Sequence, residues 1–276
     1  MSAIKAGVMG WPVDHSRSPA LHGFWLQTYG IDGTYERIPV APADLETALR
    51  SLPARGFAGC NLTVPHKEAA MAIVDDVSPE GRRIGAVNTI VVTPDGRLKA
   101  TNTDAYGFIT SLRTSAPGYK PNIGAAVVLG AGGAARAVCV ALLDAGVPEV
   151  RLINRTSARA AQLAKDVGGA FTVTDWADRN AALKNAAFLV NTTTQGMKGQ
   201  PPLDLDLAAL PREAVVTDIV YVPLETPLLA AARARGNVVV DGLGMLLYQA
   251  QPGFEGWFGT RPEVTSALRE HVLAAG

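Results

Sequence analysis

Short runs rich in apolar and β-branched residues alternate with stretches of helical periodicity along almost the whole chain. Residues 5–9 read as a strand, followed by a polar loop, a helix from Pro19 to about Tyr29, a strand over 34–40 and a helix over 42–52. A third strand over 59–64 leads into a helix near 66–74. This order predicts an α/β fold with a mostly parallel, buried sheet. Residues 89–93 and 98–101 flank Pro94-Asp95-Gly96, a turn signal, and predict a hairpin. A helix over about 105–113 then runs into a Pro- and Gly-bearing stretch over 115–121, which reads as a junction between domains. A second series follows, with strands over 125–129, 149–154, 170–173, 188–191, 215–219 and 238–241. Helices starting at Ala134, Ala158, Ala177 and Pro227 fit between them. The last segment, 262–275, carries Val264, Leu268, Val272 and Ala275 at helical spacing, with Thr260 and Pro262 as start signals.

Length agrees with two domains, since 276 residues stand against about 150 per domain. An apolar content of 48% fills cores and excludes a disordered chain. Lys plus Arg and Asp plus Glu balance at 25 each, with no dense basic block, so a nucleic-acid surface is not expected. Cys60 and Cys139 sit in apolar runs and read as buried free thiols of a reducing compartment. The N-terminus, broken by Gly7, Gly10 and Pro12, does not read as a signal peptide. No window holds about 18 uninterrupted apolar residues, so no membrane association is expected. These features predict a cytoplasmic location. Metal chemistry has little support, because His15, His22, His66 and His271 share no ligand spacing and the cysteines form no C-x-x-C.

Chemistry appears first at Gly130-Ala131-Gly132-Gly133-Ala134-Ala135, a G-x-G-x-x-A sequence directly after an apolar strand and at a helix start. Gly130 allows the tight turn, Gly132 lets backbone N–H groups approach a pyrophosphate, and Ala135 lets helix and strand pack closely. The helix N-terminus adds aligned donors and partial positive charge. At the end of the next strand an NAD site usually carries Asp or Glu, but this chain reads Asn154-Arg155-Thr156 with Arg159 beyond. Arg155 and Arg159 can donate charge-assisted hydrogen bonds to a 2′-phosphate, each worth about 1.5–3 kcal/mol, a roughly 10- to 1000-fold preference for NADP. Asn61-Leu62-Thr63, Asn154-Arg155-Thr156 and Asn191-Thr192-Thr193 all fall at predicted strand ends, the edge where open α/β sheets bind ligands.

Four features of the first half also read as chemical. Ser16 and Ser18 lie two apart in a loop before a helix, and Ser18 before Pro19 is a good N-cap, which can be its whole role. Pro65-His66-Lys67 follows a strand, and Lys67 is either a solvated charge or an acid/base group. Asn88 opens a strand in Gly85-Ala86-Val87-Asn88-Thr89. Asp104, in Thr101-Asn102-Thr103-Asp104-Ala105-Tyr106-Gly107, can cap the helix that follows or act chemically.

With Gly10-Trp11-Pro12-Val13-Asp14-His15-Ser16-Arg17-Ser18-Pro19, Asn154-Arg155-Thr156 and Gln249 after Gly242-Leu243-Gly244, these motifs stand in the order of the shikimate dehydrogenase family, which the chain resembles from Gly10 to its last helix. The resemblance implies NADP-linked, reversible reduction of 3-dehydroshikimate to shikimate in aromatic amino-acid biosynthesis. It implies that Lys67 and Asp104 form the catalytic pair, that Ser16 and Ser18 bind the substrate carboxylate with Tyr221 nearby, and that Asn61, Thr63, Asn88, Thr103 and Gln249 bind the substrate. Cofactor contacts would come from Gly130, Ala131, Gly132, Gly133, Ala134, Ala135, Asn154, Arg155, Thr156, Arg159, Thr192, Ile219, Gly242 and Met245. Residues 1–104 would form a substrate domain and 105–242 a Rossmann-type NADP domain, with a cleft between them. The C-terminal helices of 243–276 would pack back on the first domain, in a monomer or homodimer. One departure is Val222, where the family often has an asparagine. Two other readings remain: a quinate/shikimate dehydrogenase with broader substrate or cofactor use, and a non-catalytic NADP-binding regulatory protein.

Overall fold

The first strand, β1 (Ile4–Gly10), is buried over its last five residues, as befits a strand covered on both faces. The computed structural model describes residues 3–275, so the outer limits expected at residues 1 and 276 lie outside the described residues. After β1 come α1 (Ser18–Thr28), β2 (Gly33–Pro39), α2 (Leu45–Arg50), β3 (Phe57–Leu62), β4 (Asp76–Val77), α3 (Pro79–Ile84), β5 (Thr89–Val92) and β6 (Leu98–Thr101). They form a sheet of order β2-β1-β3-β5-β6-β4. In it β1 is parallel to β2 and β3, whereas β5 runs antiparallel to β3 and β6, with β4 parallel to β6. The β5–β6 hairpin closes through Gly96 at φ +80°. Met9, Leu49, Leu52, Cys60, Leu62 and Ile90 share one core of this unit.

The chain continues through α4 (Asp104–Ser115), β7 (Ala125–Leu129), α5 (Gly133–Asp144), β8 (Val150–Ile153), α6 (Ser157–Val167), β9 (Phe171–Thr174), β10 (Ala186–Asn191), β11 (Val215–Asp218), α7 (Pro227–Ala234) and β12 (Val238–Val240). The second sheet is parallel throughout, in the order β12-β11-β10-β7-β8-β9. Its two three-strand halves diverge from the β7–β10 pair, as in doubly wound nucleotide-binding sheets. Alternate residues of β7 feed different cores. Ala126 and Val128 join Val138 and Leu142, while Val127 and Leu129 join Leu189 and Leu229. Both faces are therefore covered, which is why β7 is a continuous apolar run.

Finally α8 (Leu243–Phe258) and α9 (Ser266–Ala274) complete the chain. By contacts, residues up to Asp104 and those from Leu246 onward make one unit, and Ala105–Met245 make the other. In the first unit, Phe254 and Trp257 of α8 pack on His22, Trp25 and Tyr35.

Four local expectations are corrected. Residues 66–74 hold only a short 3₁₀ turn, Ala69–Ala72, rather than a helix. The Lys67 carbonyl instead accepts from Val87 N (2.8 Å), which tethers this stretch to the segment before β5. The helix expected from Ala177 is two 3₁₀ turns, Trp176–Asp178 and Ala181–Leu183. There Arg151 Nη1 donates to the carbonyls of Ala182 (2.8 Å) and Lys184 (2.6 Å). Ser18 is the first residue of α1 and not its cap, whereas Ser16 Oγ accepts from Ser18 N at 3.3 Å. The last helix is capped by Thr265, which accepts from Leu268 N. It begins later than Thr260 and Pro262 suggest because the carbonyls of Pro262 and Glu263 accept from Gln251 and Trp25. The helix α3, capped by Ser78 and ended by Gly85 at φ +72°, was not expected, since six residues are too short to show a period.

Candidate active site

In the first unit, the ends of β3 and β6 and the start of β5 gather polar side chains that the chain separates widely. Lys67 Nζ lies 2.5 Å from Asp104 Oδ2, with both side chains largely buried. Asn88 Nδ2 donates to Asp104 Oδ1 at 2.8 Å and also lies 3.0 Å from Thr103 Oγ1 and 3.2 Å from Gln249 Oε1. Asn88 Oδ1 accepts from Thr103 N (2.8 Å) and Thr89 Oγ1 (3.0 Å), so its amide cannot turn over without breaking bonds. Asp104 N donates to Asn102 Oδ1 (2.9 Å), and Asn102 Nδ2 donates to Ala86 O (2.9 Å), which seats the start of α4. The Asp104 carboxylate thus keeps both oxygens for Lys67 and Asn88. One ammonium hydrogen of Lys67 is used, leaving two for a ligand.

Asn61, at the end of β3, donates through Nδ2 to Asn88 O and Thr89 Oγ1, each at 3.1 Å. Its Oδ1 accepts from the Tyr35 hydroxyl at 2.6 Å. Tyr35 was not among the expected residues; its only sequence signal is a polar-tipped aromatic ring at a buried strand position. Burial, and secondarily the nearby Cys60, push the Tyr35 phenol upward, while a hydrogen bond with Ser18 opposes them. The phenol therefore stays neutral and links Ser18 to Asn61. Ser16 is half-buried, and its carbonyl accepts from Arg37 Nε (3.1 Å) and Nη2 (2.6 Å). Thr63 follows β3, its N–H donating to Met9 O at 2.9 Å. Burial lowers the His66 imidazole below its ordinary value, only partly offset by its hydrogen bond to Val40 O. The imidazole is neutral and donates through Nε2 (2.8 Å), steadying the turn that carries Lys67.

The second unit places the glycine motif at the carboxyl ends of β7 and β10, the switch point where such sheets bind ligands. Gly130 has φ +110°, and a Cβ there would meet Thr192 Oγ1 at 2.5 Å, so only glycine is accommodated. No atom lies within 4 Å of a Cβ built on Gly132, which leaves its backbone accessible. Ala131 and Ala135 are buried, and Gly133 and Ala134 open α5. Thr192 N and Oγ1 both donate to Leu129 O (2.9 and 2.6 Å), joining the loop after β10 to the glycine turn. Asn154 Nδ2 donates to Thr156 O (3.0 Å), and Thr156 O accepts from Arg159 N (3.0 Å). Arg155 and Arg159 are exposed. Ile219 N donates to Asn191 O (3.0 Å), and Gly242 packs against the Ile219 carbonyl with Met245 buried beyond it. Tyr221 is half-buried in this unit.

The substrate binding domain model of shikimate dehydrogenase matches residues 8–90, and the model of shikimate / quinate 5-dehydrogenase matches residues 120–198. A shikimate dehydrogenase (NADP(+)) of Paramagnetospirillum magneticum is 64% identical over 272 residues, 99% of each chain. One from Rhodospirillum rubrum is 59% identical, covering 98% of this chain and 97% of that one. Shikimate 5-dehydrogenase from Thermus thermophilus, solved with NADP(H) and shikimate, has a TM-score of 0.88 at 40% identity over 99% of both chains. Quinate dehydrogenase from Corynebacterium glutamicum, solved with NAD, has a TM-score of 0.91 at 34% identity over 99% of this chain and 100% of that one. With two domain models matched in sequence order and identity of this extent along nearly the whole chain, the protein belongs to the shikimate dehydrogenase family.

Proposed function

We propose that the protein catalyses the reversible, NADPH-dependent reduction of 3-dehydroshikimate to shikimate, on the route to the aromatic amino acids. The observation that carries this reading is the Lys67–Asp104 pair, 2.5 Å apart within a cluster of amides and hydroxyls, in a chain so similar to NADP-linked relatives. Residues 1–104 with the C-terminal helices of 243–276 serve the substrate, apart from Met245, which joins residues 105–242 in serving the cofactor.

Shikimate is a carboxylate on a ring bearing three hydroxyls, so its site needs neutral donors, acceptors and one acid/base group. Ser16 and Ser18 take the carboxylate. Asn61, Thr63, Asn88, Thr103 and Gln249 take ring oxygens. Both amide hydrogens of Asn61 are engaged within the protein, so it serves the ligand through the second lone pair of Oδ1.

The residues of the second unit fit NADP. Gly130 and Gly132 give a pyrophosphate access to backbone N–H groups at the start of α5, with Ala131, Gly133, Ala134 and Ala135 shaping the turn. Arg155 and Arg159, with Asn154 and Thr156, hold the 2′-phosphate. Thr192, Ile219, Gly242 and Met245 line the nicotinamide end. NADPH, when bound, supplies the hydride that reduces the ketone carbon. Lys67 stabilises the negative charge growing on the ketone oxygen and gives it a proton. Asp104 holds the ammonium in place, and Asn88 holds the other oxygen of that carboxylate. In the reverse direction Lys67 takes the proton from the hydroxyl.

The fold is also close to an NAD-bound quinate dehydrogenase, but Ser18 and Arg155 favour shikimate and NADP here. A cytoplasmic monomer or homodimer suits NADPH chemistry and the two buried free thiols, Cys60 and Cys139. The test follows NADPH absorbance with 3-dehydroshikimate, then NADP or NAD reduction with shikimate or quinate. Turnover with 3-dehydroshikimate and NADPH is expected. Silence with every pair overturns the enzyme reading, and equal efficiency with NAD removes the role of Arg155.

A further inference from the structure

The last residue of β11, Asp218, is fully buried and forms no ion pair among the described residues. Burying a carboxylate without a cation is costly, and burial pushes this one up to about 6 against the pull of its hydrogen bonds. Nothing in the chemistry derived so far uses it. Its three donors come from three different segments. Oδ1 accepts from Asn191 Nδ2 and Val220 N, each at 3.0 Å, and Oδ2 accepts from Thr226 Oγ1 at 2.8 Å.

Each donor governs a piece of the nicotinamide end. Asn191 Nδ2 also donates to Gln195 O (3.0 Å), and Asn191 Oδ1 accepts from Thr193 N (3.0 Å) and Thr193 Oγ1 (2.7 Å). Gln195 N donates in turn to Thr193 Oγ1 (3.1 Å), so residues 193–195 hang on the Asn191 amide, while Thr192 is held through Leu129 O. Val220 N sets the bend that presents Ile219. Thr226 caps α7 through Leu229 N (3.3 Å) and so fixes where the segment after β11 ends. An ionised carboxylate accepts from all three at once, two of them obligate N–H donors.

We infer that Asp218 is the positioning residue of the nicotinamide end, an acceptor hub that sets the Thr193–Gln195 turn beside Thr192 and the Ile219 bend without touching the cofactor itself. The inference rests on the assignment above of Thr192 and Ile219 to NADP. An amide at this position keeps an oxygen for Asn191 and Val220 and can meet the Thr226 hydroxyl only by donating to it, so Asn is the conservative replacement and Ala removes the hub.

The test compares full-length wild type, Asp218→Ala, Asp218→Asn and Thr226→Val by steady-state kinetics in both substrates, by direct NADP binding and by thermal melting. Loss of buried acceptors predicts a rise of about 10- to 100-fold in KM for NADP with Asp218→Ala, and an NADP Kd raised in step. KM for shikimate should stay within about twofold. Asp218→Asn should recover most of the loss, and Thr226→Val should raise KM for NADP by about 2- to 10-fold. If Asp218→Ala does not fold, the Asn and Val variants still order the effect. An unchanged KM for NADP in all variants overturns the inference. So does an equal rise in both KM values that tracks a lowered melting temperature. A wild-type protein that neither binds NADP nor oxidises shikimate overturns this inference and the proposed function together, whereas an active wild type with indifferent variants overturns this inference alone.

Discussion

The hydroxyl of Tyr35 donates to Asn61 Oδ1 over 2.6 Å, and this bond between side chains 26 residues apart holds the oxygen end of the Asn61 amide. The Tyr35 ring lies 3.9 Å from the His22 ring and nearly parallel to it, so the phenol is held from below. Removing the hydroxyl alone should leave that packing in place. Tyr35→Phe is therefore expected to raise KM for shikimate by about 5- to 50-fold, the cost of one buried hydrogen bond to a site residue, with KM for NADP unchanged. Steady-state kinetics in both substrates check this. Equal KM values in variant and wild type would mean that Asn61 is oriented by its amide donors alone.

Lys67→Ala should lower kcat by about 10²–10⁴, the usual share of a positioned acid/base group, with a smaller change in KM. The variant leaves Asp104 hydrogen-bonded to Asn88, so the fold should survive and melting should show it. If turnover persisted near the wild-type rate, Lys67 would be only the counter-charge of Asp104.

Arg155→Ala should reduce the preference for NADP over NAD by about 10- to 100-fold, because one charge-assisted hydrogen bond to the 2′-phosphate is lost. The ratio of kcat/KM for the two cofactors measures it. An unchanged ratio would transfer the discrimination to Arg159.

His22 makes the protein acid-sensitive. Neither ring nitrogen has a hydrogen-bond partner among the described residues, and burial lowers the imidazole from 6.5 to about 3. The folded state binds this proton more weakly than the unfolded state does. The His22 contribution to stability is therefore complete above pH 6.5 and is lost as pH falls toward 3, by up to about 5 kcal/mol. Asp218, raised from 3.8 to about 6, acts in the opposite sense, its contribution falling as pH rises through that window. Comparing wild type with His22→Phe isolates the histidine. The melting temperature of the variant should fall less between pH 7 and pH 4.5, and parallel curves would show that another group controls acid unfolding.

Local chemistry was readable along the chain wherever neighbours in sequence are also neighbours in space. The run of β7, the glycine turn and α5 form one continuous segment, so strand, tight turn and helix start were all visible in Ala125 to Asp144. The residues Asn61, Asn154 and Asn191 were expected at strand ends; Asn61 is next to last in β3, Asn191 is last in β10 and Asn154 directly follows β8. The pattern of apolar residues likewise announced two series of strands and helices, because burial on both faces of a parallel sheet leaves continuous apolar runs.

What the tertiary structure alone decided were the bonds between distant segments. Local pattern favoured a helix after Pro65, but Val87 N took the Lys67 carbonyl. It favoured one after Ala177, but Arg151 took the carbonyls of Ala182 and Lys184. The same kind of long-range bond joins Tyr35 to Asn61 and gathers Asn191, Val220 and Thr226 on Asp218. Periodicity records which face of an element is dry. It does not record which buried donor meets which acceptor, because that pairing exists only once the strands are in register.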